Sequence, residues 1–403
     1  MWECPAELEQ MIIKMRRDFH RYPELSGQEE RTAAVITDFL QSLGIEVYRC
    51  NDNYGVCGII RGSKKGPVIA LRADMDALPI TEENDVEYKS LNSGIMHACG
   101  HDGHMAILLG TAAMLAENCS NLSGTIKLVF QPAEEASPKG GATTIMQDGI
   151  LDDVDAIFGL HLWPELPAGH IGIKTGALMA ASDRFAVTIK GRGAHAAYPH
   201  QGIDAITIAA DTIQGFSHII SRRIDPVEAA TLSIGTIKGG ERYNVIAQQV
   251  CFEGTIRTLS EKVRHEIPKY MESILGGLTQ AQGSKYIFDY KPGYPVLNNY
   301  SIPVGIVNNA ATAVIGDKSI HSNIKPTLGA EDFANYLVKI PGAFFWLGCA
   351  KHDLHPQVLH NSRFDIDEAA LLTGAKLMYQ IALEAVEYCY FGGDKCNPQD
   401  KIN

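Results

Sequence analysis

The chain has 403 residues, which favours two or three domains, and its 45% hydrophobic and 20% charged content is that of a globular protein with a substantial core. A net charge of −12 without a basic block argues against nucleic acid or an anionic membrane as partner. No apolar run has the length of a membrane span, and Met1-Trp2-Glu3-Cys4-Pro5 lacks the character of a secretory leader. Nine scattered cysteines read as reduced thiols, so a cytoplasmic location is expected.

Helical spacing of Leu8, Met11, Ile12 and Met15 predicts a first helix stopping at Arg21-Tyr22-Pro23. A second helix runs from about Arg31 to Leu43 and closes on Gly44, a residue that adopts positive φ without a Cβ clash. Apolar runs at 55–60, 68–72, 125–130 and 156–160 read as strands. Their alternation with helices predicts an α/β domain built on a mixed sheet with helices on both faces.

The middle of the chain changes pattern. Strands are expected at 185–190, 231–237, 250–258 and 286–290, with helices at 203–220 and 261–278. Pro268 should kink the second helix or mark its true start. The order β-α-β-β-α-β is the ferredoxin-like split unit, here a complete inserted domain of about 110 residues. The chain returns through the breaker cluster Lys291-Pro292-Gly293-Tyr294-Pro295, then gives a buried strand at 344–348 and a helix at 371–388. The expected boundaries are 1–182 and 295–403 for the main domain and 183–294 for the insert.

Chemistry concentrates in His97-Ala98-Cys99-Gly100-His101-Asp102-Gly103-His104, directly before the apolar helical run from Met105 to Leu115. Imidazoles, a thiol and a carboxylate at that density suit a transition metal. Cys99 and His101, two apart on a glycine-containing turn, can face one point; His104 either adds a ligand or makes a hydrogen bond. Phe130-Gln131-Pro132-Ala133-Glu134-Glu135 ends an apolar strand, where open α/β sheets place their sites. There one carboxylate can bind metal while the other serves as general base. Asp74 and Asp76 follow another strand, with Pro79 fixing the turn. His161 sits in an apolar strand, where a core histidine and a ligand are both open readings. Spacing does not choose among His352, His355 and His360. In the insert, a flexible loop from Gly191 presents His195 and His200, Asn244 and Arg257 lie in or near neighbouring strands, and Arg257 can bind a carboxylate bidentately.

Together these motifs resemble the metallo-amidohydrolases that include aminoacylases, hippurate hydrolase, plant auxin-conjugate hydrolases and bacterial N-acetyl-diaminopimelate deacetylase. The resemblance runs from Asp18-Phe19-His20-Arg21-Tyr22-Pro23-Glu24-Leu25-Ser26 through Met96–His104, the Gln-Pro-Ala-Glu-Glu segment and Gly329-Ala330-Glu331-Asp332-Phe333 to His360-Asn361-Ser362-Arg363-Phe364-Asp365. It implies a di-metal catalytic domain interrupted by a lid domain that also dimerises. Carried over by position, the ligands would be Cys99, His101, Glu135, His161 and His360, with Cys99 bridging. Glu134 would be the general base. His195 would reach the partner subunit's site, and Asn244 and Arg257 would contact substrate. At the position of Asp74 the wider superfamily often has a histidine ligand, so the Cys-Gly-His turn places this chain in the cysteine-containing branch. Ala247 stands where relatives usually carry proline, which implies a less stiff loop at 244–247.

The activity so implied is hydrolysis of N-acyl-L-amino acids by an enzyme holding two divalent ions, with zinc, manganese, cobalt or nickel suited to such ligands. A dipeptidase or carboxypeptidase of the same superfamily is the near alternative. A non-catalytic binding protein on this fold is the distant one, disfavoured because binding alone needs no free base beside a metal.

Overall fold

The computed structural model describes residues 5–351 and 358–390. The segment holding His352 and His355, and the residues before Pro5, lie outside these. Two compact units divide the chain: 1–178 with 298–325 and 332–403, and 179–297 with 326–331.

The first unit opens with α1 (Pro5–Arg21), α2 (Glu30–Ser42), β1 (Glu46–Arg49), β2 (Val56–Arg61), β3 (Lys64–Asp74), α3 (His101–Asn118), β4 (Ser123–Gln131), α4 (Ala142–Gln147), β5 (Ala156–Pro167) and β6 (Ile171–Gly172). The chain passes through β7 (Gly176–Met179) into β8 (Ala181–Lys190), α5 (Ala205–Arg222), β9 (Ala230–Gly239), β10 (Gln249–Thr258), α6 (Glu261–Ala281) and β11 (Lys285–Lys291). It returns through β12 (Leu297–Asn299) to α7 (Ser301–Ile315), β13 (Ile320–His321), α8 (Ala334–Lys339), β14 (Gly342–Ala350) and α9 (Ala369–Tyr390).

The main sheet of the first unit has the order β1-β2-β4-β3-β5-β14-β6-β13. Its centre, β4-β3-β5-β14, is parallel, while β1, β2 and β4 pair antiparallel, as do β14 and β6. Central strands are buried at consecutive positions, which requires cover on both faces; this is the mixed α/β sheet that the alternating pattern predicts. Helix α3 supplies part of that cover. Fourteen of its 18 residues are buried, so it is a core helix rather than an amphipathic one. A Cβ on Gly103 would lie 2.4 Å from Leu162 Cδ1, so this glycine lets α3 pack directly on β5 next to His161.

The second unit is a four-stranded antiparallel sheet, order β11-β8-β10-β9, with α5 and α6 packed on it over a core of Phe185, Val187, Phe216, Phe252, Ile256, Met271 and Leu275. This is the ferredoxin-like arrangement expected from the chain order. Pro268 lies inside α6 and does not start it. The helix begins at Glu261, where the Ser260 side chain accepts from Val263 N–H.

Two boundaries shift in ways that matter for the site. Helix α3 begins at His101, four residues before the apolar run, because Gly100 at φ 90° breaks the chain there and buried polar partners stand in for apolar ones. Strand β5 continues past Leu160, so His161 belongs to the sheet.

Candidate active site

Register brings the key residues of the sheet to one level. Asp74 of β3 is paired with Gln131 of β4, and Arg72 of β3 with Gly159 of β5. Two residues further along β5 than Gly159 is His161. Asp74, Gln131 and His161 therefore sit side by side toward the carboxyl ends of three parallel strands, the usual place for a site in such sheets. The turn after β4 then carries Glu134 and Glu135, and α3 starts with His101.

The hydrogen bonds fix which nitrogen each histidine offers. His101 Nδ1 lies 2.8 Å from the Asp76 carbonyl and donates to it, and among the described residues Nε2 has no hydrogen-bond partner. His161 Nδ1 donates to the Leu162 carbonyl at 2.8 Å, and its Nε2 lies 3.4 Å from Cys99 Sγ. His360 Nε2 is 3.3 Å from the same sulfur and 3.2 Å from Glu135 Oε1. His360 holds a left-handed φ of 64°, anchored by its N–H on the Ala98 carbonyl. Two triples of donor atoms, Cys99/His101/His161 and Cys99/Glu135/His360, each lie within 4.8 Å of one another and share Cys99. Glu134 forms a third group with His101 and Glu135.

His104 does not belong among the donors, although it lies close to Asp74 and His101. The Leu162 N–H donates to its Nε2 at 2.8 Å, so its proton is on Nδ1 and goes to Asp74 Oδ1 at 2.6 Å. Both nitrogens are occupied, and the alternative left open by spacing resolves to hydrogen bonding. His97 is buried with neither ring nitrogen partnered among the described residues, and burial pushes its pKa down to about 3, so it is a neutral core imidazole.

The site is poor in positive charge. Burial opposes an imidazolium at His101, but Asp74 and Asp76 outweigh it and push the pKa up to about 10. A cation at Nε2 would satisfy the same carboxylates. Among the described residues, Glu135 Oε1 is likewise buried without a hydrogen bond of good geometry. Inward-facing lone pairs of a thiol, imidazoles and a carboxylate in two triples fit two divalent cations.

The acid turn is held from behind. Asp76 accepts from Glu134 N–H on Oδ1 and from Glu135 N–H on Oδ2, both at 3.0 Å, and from Ser26 Oγ–H at 2.5 Å. The Asp332 N–H donates to Glu134 Oε1 at 3.2 Å. Asp332 is tied to Arg72 and Gln131, and Arg72 to Asp74, all buried. The sequence marks Asp76 only as an acid after a strand and Asp332 only as part of a motif; neither shows its role without the fold.

In the second unit His195 is exposed. Its Nδ1 accepts from Ala197 N–H at 3.0 Å, which puts the proton on Nε2. Asn244 lies beside it, with its carbonyl accepting from Ala196 N–H. Ala247 is buried and its carbonyl accepts from Ala205 N–H. Arg257 is elsewhere. It pairs with Ser182 near the far end of β10 and donates to Ser182 Oγ at 2.6 Å and Thr255 Oγ1 at 2.9 Å. It stands eight positions along β10 from Gln249, the strand end that follows the loop carrying Asn244. At about 3.3 Å per residue that is roughly 26 Å. The structure brings His195 and Asn244 together and leaves Arg257 apart from both.

The family described as Peptidase family M20/M25/M40 matches residues 70–384. The chain belongs to this family. It is 43% identical over 378 residues to the N-acetyl-L-cysteine deacetylase of Bacillus subtilis, covering 94% of this chain and 88% of that one. It is 46% identical over 294 residues to the N-acyl-L-amino acid amidohydrolase of Geobacillus stearothermophilus, covering 72% and 79%. Among solved structures it superposes on a dinuclear metal binding peptidase of the M20 family from Bacillus subtilis with a TM-score of 0.83 at 37% identity, covering 95% and 99%. This M20 member is a hydrolase of amide bonds with a site for two divalent metals. Among the described residues no helix is long and apolar enough to cross a membrane.

Proposed function

We propose that this enzyme hydrolyses N-acyl-L-amino acids to a carboxylate and a free amino acid. The observation that carries the reading is the pair of donor triples sharing Cys99 beside a second, adjacent carboxylate, Glu134. Cys99, His101 and His161 would hold one cation, and Cys99, Glu135 and His360 the other; zinc, manganese, cobalt or nickel suits this mixed set. Such a pair of cations supplies Lewis acidity toward the scissile carbonyl and lowers the pKa of the attacking water.

Glu134 takes the proton of that water and returns it to the leaving amine. The backbone N–H of Asp332 on Oε1 keeps the carboxylate aimed while it does so. The Nε2–H of His195 stabilises the oxyanion, a contact commonly worth two to three decades in rate, or about 3 kcal/mol. Asn244 and Arg257 hold the substrate carboxylate.

Those last three residues imply a second copy of the chain. With Arg257 roughly 26 Å along the strand from the His195 and Asn244 end, one unit cannot close both on one small substrate. A homodimer through the second unit supplies Arg257 from one subunit and His195 with Asn244 from the other. Strand β9 is an edge of its sheet and exposes Ile237 at 56% and nearby Tyr243 at 91%, a surface suited to such pairing. Cys50, Cys57, Cys119, Cys251 and Cys349 form no disulfide, which favours a reducing, cytoplasmic setting.

A panel of acetyl-, benzoyl- and aminoacyl-amino acids at defined metal loading tests the reading. Acyl substrates should be hydrolysed at least tenfold faster in kcat/KM. Preference for aminoacyl substrates would make it a dipeptidase or carboxypeptidase. No turnover with full metal would return the binding-protein alternative.

A further inference from the structure

The N-terminal motif from Tyr22 to Glu29 has no part in the chemistry above, yet it packs against the acid turn. Glu29 occupies the N-cap position of α2 but does not cap it. Glu24 does so instead, accepting from Arg31 N–H at 3.0 Å and Thr32 N–H at 2.8 Å. That leaves the Glu29 side chain available elsewhere. Its Oε1 accepts from Gly27 N–H at 2.9 Å and, more than a hundred residues on, from Ala133 N–H at 2.8 Å. Glu29 is fully buried, and among the described residues its Oε2 has no hydrogen-bond partner. A buried carboxyl so incompletely paired is costly, and its own helix does not need it.

Ala133 is where the need arises. It holds a φ of 56°, a left-handed conformation unfavourable for alanine, and this turns the chain so that Glu134 and Glu135 follow directly. Three successive amides there end on carboxylates: Ala133 on Glu29, and Glu134 and Glu135 on the two oxygens of Asp76. Ser26 in turn donates to Asp76, and Glu24 accepts from Ala77 N–H through its carbonyl at 2.8 Å. One short turn thus docks on the strand end that carries Asp76 and reaches past it to Ala133.

We propose that Glu29 is a positioning residue for the catalytic acid turn, holding Ala133 in its left-handed conformation so that Glu134 and Glu135 keep their separate directions. This rests on reading Glu134 as base and Glu135 as ligand. Glu29 touches neither substrate nor metal; it acts through the backbone.

Hydrogen exchange and kinetics on the metal-loaded enzyme test it together. In Glu29→Ala, exchange at the amides of residues 133–135 should quicken at least tenfold. kcat should fall about 10- to 100-fold with KM within threefold and two metal equivalents still bound. Glu29→Gln keeps an acceptor at Oε1 and should stay within threefold of the parent on every measure. If Glu29→Ala does not fold, Glu29→Asp, too short to bridge Gly27 and Ala133, takes its place. A folded variant with parental exchange, or with quickened exchange and undiminished kcat, overturns the proposal, as does Glu29→Gln behaving like Glu29→Ala. Glu134→Gln runs alongside: if it is fully active the base assignment fails, while exchange at Ala133 still reports on Glu29.

Discussion

The acid turn of the first unit and the His195 loop of the second make opposite arrangements for residues of comparable importance. Glu134 and Glu135 have their backbone amides on a buried aspartate, and the preceding residue is held by another buried acid. His195 is exposed, and one local amide fixes its tautomer. The first is preorganised within one folded unit, which is what the proposed roles of base and metal ligand would require. The second presents a defined donor outward, toward solvent. The proposed function therefore divides into a part that one unit builds and a part that a second copy of the chain would complete.

Substitutions in each region sharpen that contrast. Replacing the base should have the largest effect: Glu134→Gln should lower kcat by about 10³- to 10⁴-fold while both metal equivalents remain bound, by rapid kinetics and elemental analysis. Near-normal turnover would place the base elsewhere. His195→Ala should cost about 10²-fold in kcat. Mixed dimers of His195→Ala with Glu134→Gln should recover up to about a quarter of parental activity, since random pairing leaves one intact composite site in half the molecules. No recovery in verified heterodimers would break the comparison, because His195 would then act without a partner. Arg257→Ala should raise KM about tenfold with a smaller change in kcat, as loss of a charge-assisted contact to substrate implies. An unchanged KM would remove Arg257 from the substrate site.

The smallest effect on activity concerns the frame around the site. Arg16 is fully buried and pairs with Asp102 and Asp365, each at 2.8 Å. Burial pushes the Asp365 carboxyl up, but Arg16 and Lys351 outweigh it and hold it below its usual value of 3.8. A depressed carboxylate contributes stability that is present above about pH 4 and lost as pH falls through its folded pKa. Asp365→Asn should therefore cost stability at pH 7, on the order of 3 kcal/mol. It should also flatten the fall of Tm between pH 5 and pH 3 in metal-free protein. A parallel curve would show that Asp365 does not supply the acid sensitivity.

Much of the architecture was legible in the sequence because it rests on local pattern. Apolar runs at 125–130 and 156–160 are strands since only a doubly covered sheet tolerates such continuous burial, and the β-α-β-β-α-β order needs no distant information. Helix α7 was not legible: its asparagines, glycine and proline give weak helical spacing, and packing on β14 and α9 makes it a helix. Of the site, residue types and motif positions were visible, but orientation was not. That His104 is spent on Asp74 and the Leu162 amide depends on a strand nearly sixty residues away. Glu29 reads as an ordinary helix-start acid until Ala133 is seen beside it. Asn244 and Arg257 look like neighbours in sequence, and only the register of β10 separates them.

Cys99 is shared by both donor triples, and the proposed function has its thiolate serve both metal positions. Elemental analysis of the protein reconstituted with cobalt(II), with its sulfur-to-cobalt absorption in the near ultraviolet, tests it most directly. The parent should bind two equivalents and show that absorption. Cys99→Ser should lose the absorption, and Cys99→Ala should fall below two equivalents because both triples lose a donor. Two equivalents bound at parental affinity by Cys99→Ala would contradict the shared-thiolate site.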